Sequence, residues 1–516
     1  MSAGLIGALL LAGAASAQDR VIDVRVDQVQ GPLANTPNLV IGAGRANEGL
    51  RADWQQQLAE IKKDAGFKYI RMHGLLTDDM GVFRINAQGK EEYNFQYIDA
   101  LFDYLLSIDV KPFVELGFMP SAMASGSKTI FWWRGNVTPP RDYAQWGRLV
   151  KALTQHWTER YGEAEVASWY FEVWNEPNLG DFWAGTQAEY FKLYDHAARA
   201  VKEVSPRYRV GGPATAGAAW IPEMIDYAVK NKVPLDFVST HTYGVSQGFL
   251  DEFGTTGTVL AKDEGAISND VIRNRKEIAA SAMPKLDLHY TEWSSSYTPA
   301  DASHDSYHQA AYILQKLKQV GTNAQSMSYW VFTDIFEEPG PRFEAFHGGF
   351  GLMNTQGIKK PAYFAYQFFN ALGAKELVNR DARSIATTDD KGNVQVLLWD
   401  YTHTLPEKIN NQQYFIKDLP AKDKGAAKLQ VAGLKQGAYR LEWSQVGYRK
   451  NDAFTAFIGM GSPKQLTRPQ VATLKQQATG KPSSQRTVRI GADGKFSLDL
   501  PMRENDVHLV KLTRVK

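Results

Sequence analysis

From Asn38 to Gly373 the chain alternates short apolar runs with longer segments in which apolar side chains recur every three to four residues. That is the pattern of a strand followed by a helix packed upon it. The predicted strands are Asn38–Gly42, Tyr69–Gly74, Pro112–Gly117, Trp169–Trp174, Val210–Pro213, Phe237–Tyr243, Leu286–Glu292 and Met327–Phe332. The helices that follow them in turn are Asp53–Ala65, Phe95–Ile108, Tyr143–Tyr161, Gln187–Val204, Ile221–Lys230, Val271–Ala282, Tyr307–Val320 and Ala362–Ala371. Thr186 and Glu189 fit a capping box, which fixes the start of the fourth helix. Eight such units in succession predict an α/β fold, a (β/α)8 barrel over residues 36–373.

After Gly373 the helical period disappears. Val394–Tyr401, Gln413–Leu419, Tyr439–Val446, Phe496–Leu500 and Val507–Leu512 read as strands between Gly, Asp, Asn and Lys-rich turns, which predicts a β-sandwich over 374–516. Val21–Val26, within an N-terminal segment 18–35, alternates apolar and charged residues and is expected to pair with that sandwich. Arg449–Lys481 reads as a long excursion or a short helix. Residues 1–17 carry no charge, are apolar from Leu5 to Ala15 and end in Ala15-Ser16-Ala17. They read as a signal peptide without a basic start, so export to the periplasm or the exterior is expected. No other stretch approaches the 18 apolar residues of a membrane span.

Composition narrows the functions available. Lys and Arg number 58 against 56 Asp and Glu, a balance too even to hold nucleic acid or an anionic membrane. The absence of Cys excludes disulfides, thiolate metal sites and thiol nucleophiles. With 13 Trp and 23 Tyr the chain is rich in flat faces with a polar edge, on which sugar rings stack.

In a (β/α)8 barrel the catalytic groups sit at the C-terminal ends of strands. The fourth predicted strand breaks at Asn175-Glu176-Pro177-Asn178, and Pro177 is expected to hold Glu176 extended at the strand's mouth. The seventh ends in Thr291-Glu292-Trp293. Two carboxylates at one mouth, beside an amide and Trp residues, suit acetal hydrolysis, where one acid protonates the leaving oxygen and the other supports or attacks an oxocarbenium-like centre. Asn175 can donate to a sugar 2-hydroxyl, a bond that strengthens in the transition state. Glu115 and Glu172, at inward strand positions, read as structural acids of the lower barrel.

Trp174-Asn175-Glu176-Pro177-Asn178 resembles the acid/base signature of the retaining (β/α)8 glycosidases. The whole chain resembles glycoside hydrolase family 39, chiefly β-D-xylosidases. The likeness is carried by Arg71-Met72-His73-Gly74, Glu115–Pro120, the Asn175-Glu176 motif, His241-Thr242-Tyr243, Thr291-Glu292-Trp293, Thr333–Glu338, Phe346–Leu352 and Met460–Pro463. It implies a retaining, exo-acting xylosidase needing no cofactor and no metal, with a xylo-oligosaccharide or another small glycoside as its substrate. Glu176 would be the acid/base and Glu292 the nucleophile. His73, Phe118, Asn175, His241, Tyr243, Trp330, Glu337, Glu338 and Phe346 would form the sugar subsite. Arg342, in the loop after the eighth strand, departs from the neutral xylosidase pattern. It keeps an α-L-iduronidase, whose substrate bears a carboxylate, as the alternative, alongside an arabinosidase or an exopolysaccharide hydrolase.

Overall fold

Eight short runs of buried residues pair in parallel and close on themselves in a computed structural model of the chain, which describes residues 20–247, 257–406 and 408–515. The barrel strands are β1 (Val40–Arg45), β2 (Tyr69–His73), β3 (Lys111–Leu116), β4 (Tyr170–Val173), β5 (Arg209–Thr215), β6 (Phe237–Tyr243), β7 (Asp287–Ser294) and β8 (Ser326–Tyr329). Tyr329 pairs with Ile41 and so seals the last strand to the first. The helices are α1 (Ala52–Ala65), α2 (Gln96–Ser107), α3 (Tyr143–Tyr161), α4 (Gln187–Val204), α5 (Ile221–Asn231), α6 (Ser268–Ala280), α7 (His308–Val320) and α8 (Pro361–Asn370). The predicted signal peptide, residues 1–17, lies outside the described residues.

Most of these helices bury one stripe, whereas α7 and α8 are buried on nearly every side. In α3 that stripe is Trp146, Leu149, Val150, Leu153 and Trp157, at the three- and four-residue spacing of a single face. The capping box of Thr186 and Glu189 opens α4 as its sequence predicts. Helix α1 ends at Gly66 with φ +76°, where a Cβ would also come within 2.5 Å of the Asn370 side chain, so only glycine fits both demands.

The barrel interior is layered. At the N-terminal end Val40, Phe113, Tyr170 and Phe237 form an apolar plug, with His289 against their rings. Two residues further along β3, β4 and β7 the character inverts, and Glu115, Glu172 and Thr291, with Arg71 of β2, occupy the next layer, fully or almost fully buried. The mouth lies above them.

The remaining strands form two sheets around a second core. Seven strands run in the order Val29–Pro32, Lys375–Leu377, Ser384–Thr388, Val394–Trp399, Val507–Arg514, Gly437–Val446 and Ser484–Ile490. The other sheet holds Arg20–Arg25, Asp423–Ala432 and Phe496–Arg503, with Ile22 opposite Leu429 in a parallel pair. Ile22, Val24, Leu398, Leu429, Leu441 and Leu500 pack between them. Two readings of this half need correction. Gln413–Leu419 is not a strand, because the Asn410 side chain accepts from Gln413 N–H and caps a helical turn at Asn411–Tyr414. The excursion after Arg449 holds two helices, Ala453–Gly459 and Arg468–Gln477. The first brings Phe454 and Phe457 against Phe346 of the barrel.

Candidate active site

Glu176 stands one turn beyond β4, and its backbone is not extended. Its φ is +45° and that of Trp174 is +73°, despite the restriction that Pro177 imposes. The contacts of the loop outweigh that local preference. Glu176 N–H donates to Ala214 O at 2.8 Å, Leu179 N–H donates back to Glu176 O, and Asn178 exchanges two bonds with the backbone of Ala216. The carboxylate is thereby fixed over the barrel axis.

Glu292 reaches the same axis by a different device. Along β6 and β7, Thr240 faces Tyr290 but His241 faces Glu292, so Thr291 is the extra residue of a bulge. Strict alternation would send Thr291 and Glu292 to opposite faces. Thr291 keeps the inward parity of His289, and the bulge turns Glu292 inward beside it.

His241 lies between the carboxylates, with Nδ1 2.8 Å from Glu176 Oε1 and 3.6 Å from Glu292 Oε2. One oxygen of each carboxylate and a ring nitrogen of His241 lie within 4.8 Å of one another. Tyr243 donates to Glu292 Oε2 at 2.7 Å, and Arg71 Nη1 donates to Oε1 at 2.5 Å. Arg71 is the hub of the layer beneath. Its Nε donates to Glu172 at 2.8 Å and its Nη2 serves Asn175 Oδ1 and Glu115 Oε2, both at 2.8 Å. Because a guanidinium only donates, the oxygen side of the Asn175 amide must face it, which leaves the NH2 for a sugar hydroxyl.

One buried cation among so many acids polarises their proton affinities. Burial, then the charge of Glu292, pushes Glu176 well above the usual carboxylate range. Glu292 is also raised by burial, but Arg71, His73 and the Tyr243 hydroxyl oppose that rise. The environments thus favour a protonated Glu176 beside an ionised Glu292. Burial and Arg71 press His73 down to about 3, and the same two causes, with His73, lower His241, so both imidazoles are neutral. Burial lifts Glu338 well above its ordinary value, helped by the charge of Glu292.

A cavity of about 420 Å³ opens above these groups. Of the residues expected in the sugar subsite, His73, Asn175, Tyr243, Trp330 and Glu338 reach its wall with Glu176 and Glu292. His241 is placed behind the two carboxylates and has no exposed surface. Phe118 is buried one layer back, against His73, Trp174 and Trp133. Glu337 turns away from its neighbour and pairs with Arg45 and Arg51. Phe346 is held by the phenyl rings of the Ala453–Gly459 helix. Arg342 is absent from the wall. Phe350, Tyr297 and Asp270 line it without having been singled out. Arg71 was also missed as a site residue, although its inward parity with Tyr69 and His73 on β2 was a signal.

A model of glycosyl hydrolases family 39 matches residues 20–497. The chain belongs to that family. It is a glycosidase, hydrolysing O-glycosyl bonds. A beta-xylosidase of Geobacillus stearothermophilus is 37% identical over 487 residues, which span 92% of this chain and 92% of that protein. Among solved structures, the GH39 enzyme of Xanthomonas axonopodis pv. citri superposes with a TM-score of 0.94 at 44% identity, over 98% of this chain and 100% of that one. A monomeric beta-xylosidase of Caulobacter crescentus CB15 gives 0.93 at 44% identity, over 96% and 100%.

Glu176, His241 and Glu292 are spaced as metal ligands could be. In this family 39 enzyme the guanidinium of Arg71 already bonds Glu292 Oε1, so a fixed positive charge stands beside the set and would repel a cation. The set is better suited to moving a proton than to holding an ion.

Proposed function

We propose that the protein is a retaining, exo-acting β-D-xylosidase that releases xylose from the non-reducing ends of xylo-oligosaccharides. The observation that carries the mechanism is the closeness of the two carboxylates, whose nearest oxygens lie within 4.8 Å. Retaining glycosidases hold theirs about 5 to 5.5 Å apart, whereas inverting enzymes need roughly 6.5 to 9.5 Å for an intervening water. Glu292, held by Arg71 and Tyr243, attacks the anomeric carbon as the bond to the leaving oxygen breaks. Glu176 gives that oxygen its proton, then takes one from the water that cleaves the glycosyl-enzyme. Asn175, oriented by Arg71, donates to the 2-hydroxyl.

The xylose reading is supported by the xylosidases similar over most of the chain, and by the walls of the cavity. Glu176, Glu292, Glu338 and Asp270 line it and Arg342 does not, so a uronate carboxylate would meet acids rather than a cation. The charge-free stretch of residues 1–17 supports export, which N-terminal sequencing of the exported protein tests.

A proton NMR time course on nitrophenyl β-xyloside tests the mechanism. The first product should be β-xylose, and initial release of the α-anomer would overturn the assignment. A panel of nitrophenyl β-xyloside, α-arabinoside, β-glucoside and α-iduronide tests the sugar, and the highest kcat/KM should fall on the β-xyloside.

A further inference from the structure

A chain of hydrogen bonds leads away from the cavity behind Glu176. His241 Nδ1 faces Glu176 Oε1 at 2.8 Å, and on the other side of the ring Nε2 faces Thr291 Oγ1 at 3.1 Å. Thr291 in turn meets Glu172 Oε1 at 2.8 Å, while Glu172 Oε2 accepts from Arg71 Nε at 2.8 Å. Every member except Glu176 is fully buried, and the β7 bulge lets Thr291 and Glu292 share the barrel interior.

The directions of these bonds are not independent. Arg71 never deprotonates and can only donate, so it favours Glu172 as a carboxylate that accepts at both oxygens. Thr291 has one hydroxyl proton and must spend it on Glu172. Its lone pair then accepts from His241 Nε2–H. A neutral imidazole protonated on Nε2 has a bare Nδ1, which can only accept. The single partner there is Glu176 Oε1, which makes a good bond only when it carries a proton.

We propose that Thr291 is a positioning residue that fixes the tautomer of His241 and thereby holds the catalytic proton on Glu176. This rests on Glu176 being the acid/base. In the free enzyme the proton is kept at the oxygen beside His241 until a glycosidic oxygen competes for it. Once it has left with the alcohol, the Glu176 carboxylate faces the lone pair of Nδ1, and that repulsion makes it a stronger base toward the incoming water. The water's proton restores the starting state, so protons balance over the cycle. The lowered proton affinity of His241, caused first by burial and then by Arg71, agrees with a ring that stays neutral throughout. Besides this chain, Glu176 and His241 are faced by Arg71 and His73 of β2, Glu115 of β3, Tyr243 of β6, Glu292 of β7 and Glu338 of the loop after β8. None of these is altered by a change at Thr291.

Thr291→Val keeps the branched shape and removes the hydroxyl. His241 can then turn Nδ1–H toward Glu176 and stabilise its carboxylate. The alkaline limb of the kcat/KM profile should move about one unit toward acid, a tenfold loss of proton affinity, while the acidic limb set by Glu292 stays. Thr291→Ser, which restores the hydroxyl, should return the limb to its original place. An unmoved alkaline limb in Thr291→Val would overturn the proposal. If that variant fails to fold, the nitrogen-15 shifts of His241 in the unaltered protein, assigned by difference against His241→Asn, decide instead. A proton on Nε2 supports the lock, and a proton on Nδ1 sinks it. Failure of Glu176 as the acid/base is a separate result, seen as an alkaline limb that survives in Glu176→Gln.

Discussion

Two buried cations sit near the mouth of the barrel, and they are used in opposite ways. Arg71 touches three carboxylates and an amide, and two of its contacts, Glu292 and Asn175, belong to the cavity wall. Lys360 holds Asp305 and Asp334, each at 2.6 Å, together with Gly349 O at 2.8 Å, and touches nothing that lines the cavity. The two aspartates also receive the backbone N–H groups of Gly348 and Gly351. The ammonium is a point charge with three donors and suits the pinning of a loop. A planar guanidinium can serve four partners in one plane, which orients groups that must meet a substrate. The Arg71 cluster also carries more negative charge than its cation can balance, so at least one of its acids keeps a proton.

The comparison breaks first if removing an acid from each cluster has the same effect. Glu292→Ala should lower kcat on the order of 10⁴-fold or more, since no glycosyl-enzyme can form. Asp334→Ala should act mainly on KM, by freeing the loop that carries Glu338 and Phe350. Steady-state kinetics on nitrophenyl β-xyloside separate the two. An equal fall in kcat would mean that Asp334 takes part in the chemistry.

Next in size is Glu176→Ala, with an expected loss on the order of 10² to 10⁴-fold on substrates with poor leaving groups. Toward an activated aryl xyloside the glycosyl-enzyme should still form and then accumulate. Azide should restore turnover, detected as β-xylosyl azide. Glu292→Ala should give no such product, and identical behaviour of the two variants would undo the division of roles.

The cations themselves come third. Arg71→Met and Lys360→Met each leave buried carboxylates unpaired, and each should cost about 3 to 5 kcal/mol in urea unfolding. They should differ in the activity of the folded fraction. Arg71→Met releases Glu292 and Asn175 together and should abolish most of it, whereas Lys360→Met should keep kcat within about tenfold, a barrier change of about 1.4 kcal/mol.

The contrast between the clusters also marks where sequence reasoning ends. The eight βα units, and the two glutamates at the ends of β4 and β7, follow from period and strand-end position, because burial of both faces leaves a mostly apolar run before each mouth. Which of two adjacent acids faces the cavity does not follow. Glu337 and Glu338 differ only in the direction the loop backbone gives them, and that direction is set by Arg45, Arg51 and the bond from Trp132 N–H to Glu338 O, all distant in sequence. Phe346 reads as a sugar platform until a helix more than a hundred residues later covers it. Asp423–Ala432 escapes notice because only Ala427, Leu429 and Val431 point into its core, between Lys and Gln facing outward. The bulge at Thr291 has no signature in the residue pattern. Without it the Thr291-Glu292 pair would divide between inside and outside.

The smallest effect concerns the surplus charge around Arg71. Glu115 shares Oε2 between Arg71 Nη2 and His73 Nδ1, and the backbone N–H of Gly74 also faces its carboxyl. Burial pushes its carboxyl up to about 8 against the pull of Arg71. In the unfolded chain the same group releases its proton near 4.5. Between those two values the folded protein binds the extra proton, so this group's contribution to stability falls as pH rises, present in full below pH 4.5 and gone above pH 8. The slope from one group is at most about 1.4 kcal/mol per pH unit. Glu115→Gln carries no proton to lose and should remove that falling contribution from the dependence of the urea midpoint between pH 5 and 8, while His73, neutral in the fold but protonated in the unfolded chain below pH 6.5, gives parent and variant the same opposite slope there. If the variant kept the slope of the parent, Glu115 would be ionised in the fold. The proton would then be kept elsewhere, with Glu176 and Glu338, whose carboxyls burial also raises, the first acids to test.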